Sequence, residues 1–216
     1  MPLTAAWKDA SALRLRDPGA MTDPRASWDA LYAGGGRLSW DMGKATPVLE
    51  EALDLARPLG LAPGASVVVP GCGYGHDAAG LAALGFAATG LDFAPLALAG
   101  ARARYGETVH WAQADWFTTE LGPWDAIFDH TCLVAMDPEC WPAYVAACAR
   151  NLRPGGLWLA VAFHDVQGRP APPHAIPMAE LRRLAGTHFE VLHLDHARRS
   201  HPRRAGREYL MVARRT

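Results

Sequence analysis

Apolar and polar positions along the chain follow two periods in turn. Short apolar runs of strand length alternate with stretches whose apolar residues recur every three or four positions. Val48, Leu49, Ala52, Leu53 and Ala56 form one helical stripe, opened by Thr46-Pro47 as capping hydroxyl and first-turn proline, and closed by Pro58. Pro63-Gly64 then turns the chain into Val67, Val68 and Val69, an unbroken β-branched run that reads as a strand buried on both faces. The alternation continues with a helix from about Ala78 to Leu84, a strand from Phe86 to Leu91, a helix from Pro95 to about Tyr105 and a strand from Thr108 to Ala112. Trp124 to Phe128 is a fourth strand. Asp137-Pro138 caps a helix through Leu152, and Pro154-Gly155-Gly156 turns into a fifth strand, Leu157 to Phe163.

The end of the chain departs from this rhythm. After a helix from Met178 to Ala185, the strands Phe189 to His196 and Glu208 to Ala213 are joined by a loop too short for a crossover helix, so they pair as a hairpin. The expected fold is therefore α/β: a doubly wound, Rossmann-like, seven-stranded and mostly parallel sheet with helices on both faces and a C-terminal antiparallel hairpin. Residues 1–45 are expected to form an N-terminal extension and aromatic lid, with an irregular lead-in to about Ala26, and residues 46–216 the main domain.

Composition narrows the class. A length of 216 residues with 50% apolar and 20% charged residues fits one well-buried domain rather than a disordered chain. A net charge of -1 gives no global attraction to nucleic acid or to an anionic membrane. No membrane-length apolar window and no secretory leader pattern is present, so a cytoplasmic protein without a membrane partner is expected. Cys72, Cys132, Cys140 and Cys148 form no C-x-x-C pair and the histidines no metal-binding spacing, so reduced thiols and no metal site are expected.

Candidate chemistry centres on S-V-V-V-P-G-C-G-Y-G-H-D, from Ser66 to Asp77: a strand, a turn carrying Gly71, Gly73 and Gly75, and a helix start. Glycines there permit positive φ and close approach of a ligand to the main chain. A dinucleotide fingerprint would need a third glycine at position 76, where His76 stands, so a nicotinamide or flavin cofactor is disfavoured. The spacing suits S-adenosylmethionine, which carries a nucleoside and an amino-acid tail but no pyrophosphate. Upstream, Trp28 and Tyr32 lie one helical turn apart, followed by three glycines and Trp40, a pattern suited to ordinary core anchors or to a lid over a ligand. Asp92, Asp115, Asp129-His130 and His164 all fall at strand C-termini, the ligand side of such a sheet.

These motifs, with W-D-A-L-Y, W-D-M-G-K-A-T-P, G-L-D, A-D-W-F, F-D-H-T-C-L-V-A-M-D-P-E, L-R-P-G-G, P-P-H-A-I-P and G-R-E-Y-L, occur in order over nearly the whole chain. They resemble the thiopurine S-methyltransferase-like family, which includes halide and thiol methyltransferases of the class I fold. The resemblance implies transfer of a methyl group from S-adenosylmethionine to a small soft nucleophile: a thiol, thiopurine or halide. It implies that Trp28, Tyr32 and Trp40 close over the cofactor, that Gly71, Gly73 and Gly75 pass its methionine part, and that Asp92 accepts from its ribose hydroxyls. Asp115 and Trp116 would line the adenine, and His130 would stand where relatives place Tyr or Arg beside cofactor and acceptor. Cys132, His174 and Arg207, with His130, are the candidates for the acceptor side, where a thiol must ionise. No obligatory catalytic base follows from the resemblance. Trp141 replaces an Arg of halide-type relatives, which leaves the acceptor's charge open.

Other readings are a small-molecule O- or N-methyltransferase, or a non-catalytic cofactor-binding module that regulates a partner. Seven arginines against one acid between Arg198 and Arg215 could serve nucleic acid or an anionic substrate, but without stacking aromatics a solvated hairpin loop is the plainer reading. The chain is expected to act as a monomer or weak dimer on a small-molecule acceptor.

Overall fold

A computed structural model describes residues 24–34 and 38–216. The lead-in before Pro24 and most of the three-glycine segment, both assigned above to the N-terminal extension, lie outside the described residues.

The elements are α1 (Pro24–Ala33), α2 (Val48–Ala56), β1 (Ser66–Pro70), α3 (His76–Ala83), β2 (Ala87–Asp92), α4 (Pro95–Tyr105), β3 (His110–Gln113), β4 (Trp124–His130), α5 (Trp141–Asn151), β5 (Leu152–Phe163), α6 (Met178–Ala185), β6 (Phe189–His196) and β7 (Glu208–Arg215). The strands make one seven-stranded sheet in the order β3-β2-β1-β4-β5-β7-β6. The first five run parallel, and β7 runs antiparallel to both β5 and β6. Consequently β6 runs parallel to β5, and the loop after it emerges at the C-terminal edge of the parallel strands. The order reverses between β1 and β4, so a crevice opens at the ends of β1, β2 and β4.

Period-two alternation splits the core between the two faces. Val67 and Val69 of β1, with Ala126 and Phe128 of β4, pack under α2, α3 and α4. Val68, Ile127 and Trp158 face α5 and α6 on the other side. Both faces are covered, which is why the central strands carry continuous apolar runs rather than alternating ones.

Three local expectations need correction. The Thr46 hydroxyl caps nothing: Pro47 occupies the cap position of α2, the Thr46 Oγ1 is buried without a partner, and its backbone N–H donates to Asp77 at 2.7 Å. Nor does the Asp137 carboxylate cap a helix. Pro138–Cys140 is a 3-10 turn, and α5 begins at Trp141. Finally, Pro154-Gly155-Gly156 belongs to β5 itself: Trp124 pairs with Leu152 and Ala126 with Leu157, so the insertion forms a bulge within the strand rather than a turn before it.

The basic loop between β6 and β7 is fastened to the body of the protein. Backbone N–H groups of Arg198 and Arg199 donate to Glu51 of α2, and the Arg199 guanidinium lies 3.1 Å from Asp54. The acidic side of α2 thus takes up part of the loop's charge. Among the described residues no helix is long and apolar enough to cross a membrane.

Candidate active site

Pro70 ends β1, and the chain turns through Gly71, Gly73 and Gly75, all at positive φ. At two of them the turn admits only glycine. A Cβ at Gly75 would lie 2.3 Å from the Trp111 ring, and one at Gly71 would lie 2.6 Å from the Cys132 Sγ. Gly75→Ala is expected to cost about 1–3 kcal/mol through left-handed strain and overpacking. Thermal unfolding of the variant should show a lowered midpoint; an unchanged one would mean that Trp111 yields freely.

Asp92 at the end of β2 holds this turn in place. Its Oδ2 accepts from Gly73 N–H and its Oδ1 from Ala94 N–H, each at 2.9 Å. Burial raises its pKa against the lowering effect of these backbone donors. A carboxylate has about four acceptor positions, so with one bond to each oxygen a second lone pair remains on each. A ligand offering two adjacent hydroxyls meets that need, as a ribose does.

The aromatic residues form the facing wall. Trp28 and Trp40 meet edge to face at 5.4 Å, Tyr32 lies 6.3 Å from Trp40, and Tyr74 from the glycine turn packs on Tyr32 at 5.2 Å. The Arg104 guanidinium covers the other side of Tyr74 at 3.9 Å. A Cβ at Gly73 would meet the Tyr32 hydroxyl at 3.0 Å, so the phenol reaches down to the turn. Burial and the nearby Asp92 charge push its pKa far up, which keeps it a neutral donor. Tyr32 therefore occupies the space directly over Gly73.

The segment carrying Trp40 is tied on two sides. His76, first residue of α3, joins Asp41 at 2.8 Å through Nε2 and the Tyr105 hydroxyl at 2.6 Å through Nδ1. From the β6–β7 loop, Arg204 donates to the Trp40 carbonyl at 3.0 Å and Arg203 to the Ser39 carbonyl at 3.2 Å.

His130 sits within the same buried network. Its Nδ1 lies 2.7 Å from Asp77 Oδ2, and Arg204 Nη1 lies 2.8 Å from its Nε2. Arg204 also reaches Glu208 at 3.2 Å and lies over the Phe163 ring. Burial opposes a charged ring, while Asp77 pulls the other way and carries the His130 pKa to about 9. That second proton conflicts with the Arg204 contact. A guanidinium can only donate, so the 2.8 Å approach requires a lone pair on Nε2 and fixes the ring here as the neutral Nδ1–H tautomer. Both ring nitrogens are therefore engaged inside the protein.

Arg207 is buried, donates to the Arg203 carbonyl and accepts at its own carbonyl from His164 N–H. It braces the loop from within. Asp115 makes a local turn by accepting from Phe117 N–H at 2.9 Å, and Trp116 is buried against Trp124 and Tyr144. The structure thus brings Trp28, Tyr32, Trp40, the three glycines and Asp92 together around one crevice, with His130 and Cys132 at its edge, and leaves Arg207 apart from them.

The turn after β4 carries Cys132 against Gly71. Burial and the neighbouring Asp129 push the Cys132 thiol well up, and burial with Asp92 does the same for Cys72, so neither serves as a thiolate nucleophile. Asp129 is fully buried and accepts from Cys132 N–H at 2.8 Å, and burial raises its pKa to about 6. Between pH 4 and 6 the folded state therefore binds more protons than the unfolded chain, so this group makes stability fall as pH rises through that window, by about 1–3 kcal/mol. Asp129→Asn should flatten that part of the stability-versus-pH curve measured by denaturant unfolding. A slope identical to the parent's would show that Asp129 is not its source.

Sequence reasoning missed Asp77, Arg204 and Glu208. Asp77 carried a usable signal as an acid directly after the glycine turn, whereas Arg204 and Glu208 are brought in by the hairpin from more than 120 residues away. Among the described residues no cluster of His, Cys, Asp or Glu is arranged to hold a metal ion, and all four cysteines are free.

The thiopurine S-methyltransferase family model matches residues 24–213. Thiocyanate methyltransferase 1 of Arabidopsis thaliana is 32% identical, over 79% of this chain and 77% of that protein. Its counterpart in Brassica oleracea is 29% identical, over 88% and 84%. Among solved structures, the 1,6-didemethyltoxoflavin-N1-methyltransferase of Burkholderia thailandensis, with bound 1,6-didemethyltoxoflavin and S-adenosylhomocysteine, is 26% identical with a TM-score of 0.67, covering 89% of this chain and 87% of that one. The order of its strands, the glycine turn fastened to Asp92 and a match across nearly its whole length together establish that this chain belongs to the thiopurine S-methyltransferase family and is a methyltransferase.

Proposed function

We propose that the chain transfers the methyl group of S-adenosylmethionine to the sulfur of a small thiol, with related soft nucleophiles such as thiocyanate, halides or thiopurines within reach of the same chemistry. The observation that carries this reading is Asp92, a buried carboxylate that fastens the glycine turn and keeps acceptor capacity on both oxygens at the reversal point of the sheet. When bound, the cofactor supplies a methyl group on a sulfonium, open to in-line displacement.

The chain's own residues supply position and dryness. Asp92 would hold the ribose hydroxyls and the main chain at Gly71 to Gly75 would pass the amino-acid tail. Trp28, Tyr32 and Trp40 would close over the donor and keep water out. Trp116 would meet the adenine through the edge its burial leaves. No covalent enzyme intermediate is needed, which agrees with the suppressed acidity of Cys72 and Cys132. A monomer or weak dimer in the cytoplasm is part of this reading, and the free cysteines suit that compartment.

The toxoflavin-type relative is named as a nitrogen methyltransferase, which makes a nitrogen acceptor the second reading. Turnover distinguishes them. Purified protein incubated with S-adenosylmethionine and a panel of alkyl thiols, thiocyanate, halides and nitrogen heterocycles should yield S-methylated thiols with an equal amount of S-adenosylhomocysteine. Methylation confined to the heterocycles would favour nitrogen, and tight cofactor binding without any turnover would make the chain a binding module.

A further inference from the structure

A neutral thiol must lose its proton before its sulfur becomes a good nucleophile, and the two side chains nearest to that task by sequence cannot perform it. His130 has both ring nitrogens occupied, by Asp77 and by Arg204. Arg207 is bound up in its own loop. Another histidine stands at the same edge of the sheet.

The loop after β5 returns so that Ile176 N–H donates to the Phe163 carbonyl at 2.8 Å, at the C-terminal end of β5. Two residues earlier, His174 N–H donates to the Val134 carbonyl at 2.7 Å, in the turn that carries Cys132 against Gly71. These two backbone bonds pin His174 beside the post-β4 turn that carries Cys132. Its ring is partly open to solvent, at 20% exposure, and its Nε2 lies 3.4 Å from the Asp137 carboxylate. Trp141 supports the ring edge to face at 6.3 Å. Among the described residues Nδ1 has no hydrogen-bond partner. Asp137, expected from sequence to cap a helix, makes no cap bond and is turned to His174 instead.

We infer that His174 is the general base for thiol acceptors, with Asp137 as the residue that positions it. This rests on the thiol-methylating reading above. As the crevice fills and the 3.4 Å contact tightens, Asp137 would accept from Nε2–H, leaving the unpartnered Nδ1 lone pair to take the thiol proton. The thiol S–H bond breaks, the proton passes to Nδ1 and the electron pair stays on sulfur. That sulfur then bonds to the methyl carbon as the carbon's bond to the donor sulfonium breaks and leaves its pair on the departing sulfide. His174 releases the proton to water, so each turnover yields one methyl thioether, one S-adenosylhomocysteine and one proton.

A graded series of small thiols tests this. Ethanethiol, 2-mercaptoethanol and 2,2,2-trifluoroethanethiol are alike in size, but the fluorines bring the last one's ionisation close to neutral pH, so that it is mostly thiolate in mildly alkaline buffer. His174→Gln should lower kcat/KM for ethanethiol about a hundredfold, a typical general-base contribution, and that for trifluoroethanethiol less than fivefold. Asp137→Asn should give the same pattern with smaller losses, and added imidazole should restore part of the ethanethiol rate in His174→Gly. A second readout needs no turnover: ethanethiol bound beside S-adenosylhomocysteine should show the ultraviolet band of a thiolate in the parent protein and lose it in His174→Gln. Equal losses across the three thiols, or a thiolate band that persists in the variant, would overturn the assignment while leaving methyl transfer to thiols intact. A parent protein that methylates no thiol overturns the functional reading and the base with it.

Discussion

Asp92→Ala is expected to weaken binding of S-adenosylmethionine about a hundredfold while leaving a folded protein. The carboxylate is buried, already holds Gly73 and Ala94, and keeps a lone pair on each oxygen. Hydrogen bonds to a charged group contribute about 1.5–3 kcal/mol each, so losing both from a ribose would weaken binding by at least two factors of ten. Part of the loss is indirect, because without Asp92 the turn at Gly73 is less firmly set. Asp92→Asn separates the two contributions: it can still accept from one backbone N–H, yet it brings no charge to the hydroxyls. Titration calorimetry should place it between the parent and Asp92→Ala. Equal affinity in all three proteins would mean that the ribose lies elsewhere.

Arg204→Met is expected to cost about 3–5 kcal/mol of stability, the range found when one partner of a buried ion pair is removed. Arg204 is buried and is the cation closest to Glu208 in a network that also holds Asp77 and His130. With the guanidinium gone, two carboxylates face one imidazole, and the obstacle to a proton on Nε2 disappears. Removing Arg204 takes away an influence that lowers the His130 pKa, so in the variant the ring takes its second proton more readily. A raised histidine pKa stabilises the fold fully below the unfolded value, about 6.5, and that stabilisation is lost as pH climbs through the folded one. The variant should therefore be least damaged below about pH 6.5 and most damaged above about pH 9. Adding Glu208→Gln should recover a large part of the loss. Chemical denaturation of both proteins across pH measures this, and a loss that does not change with pH would show that His130 takes no second proton. Cofactor affinity should fall as well, since Arg204 also holds the Trp40 carbonyl.

How far the sequence carries depends on whether a residue's role is local. The glycine turn was legible because strand, turn and helix start follow one another, and Asp92 because a strand end followed by Pro95 is marked by the chain itself. The parallel sheet and closing hairpin followed from element spacing alone. Caps were misread for a physical reason. Thr46 and Asp137 have the residue type and setting of helix caps, but Asp77 fastens Thr46 by its backbone N–H and leaves the hydroxyl unused, while the Asp137 carboxylate lies against His174. The buried network of Asp77, His130, Arg204 and Glu208 could not be read, because its members meet only after β4, α3 and the C-terminal hairpin have packed. Charge composition marked a basic hairpin loop but not its partners: Arg199 meets α2, Arg203 the Ser39 carbonyl and Arg204 a buried carboxylate.

A structure of the protein with S-adenosylhomocysteine bears most directly on the whole account. The ribose hydroxyls should lie within hydrogen-bond distance of both Asp92 oxygens, the amino-acid tail should run along Gly71 to Gly75 with Tyr32 displaced from Gly73, and the sulfur should face the gap between Cys132 and His174. A ligand seated away from Asp92, or a crevice in which Tyr32 stays lodged on the glycine turn at saturating ligand, would contradict it.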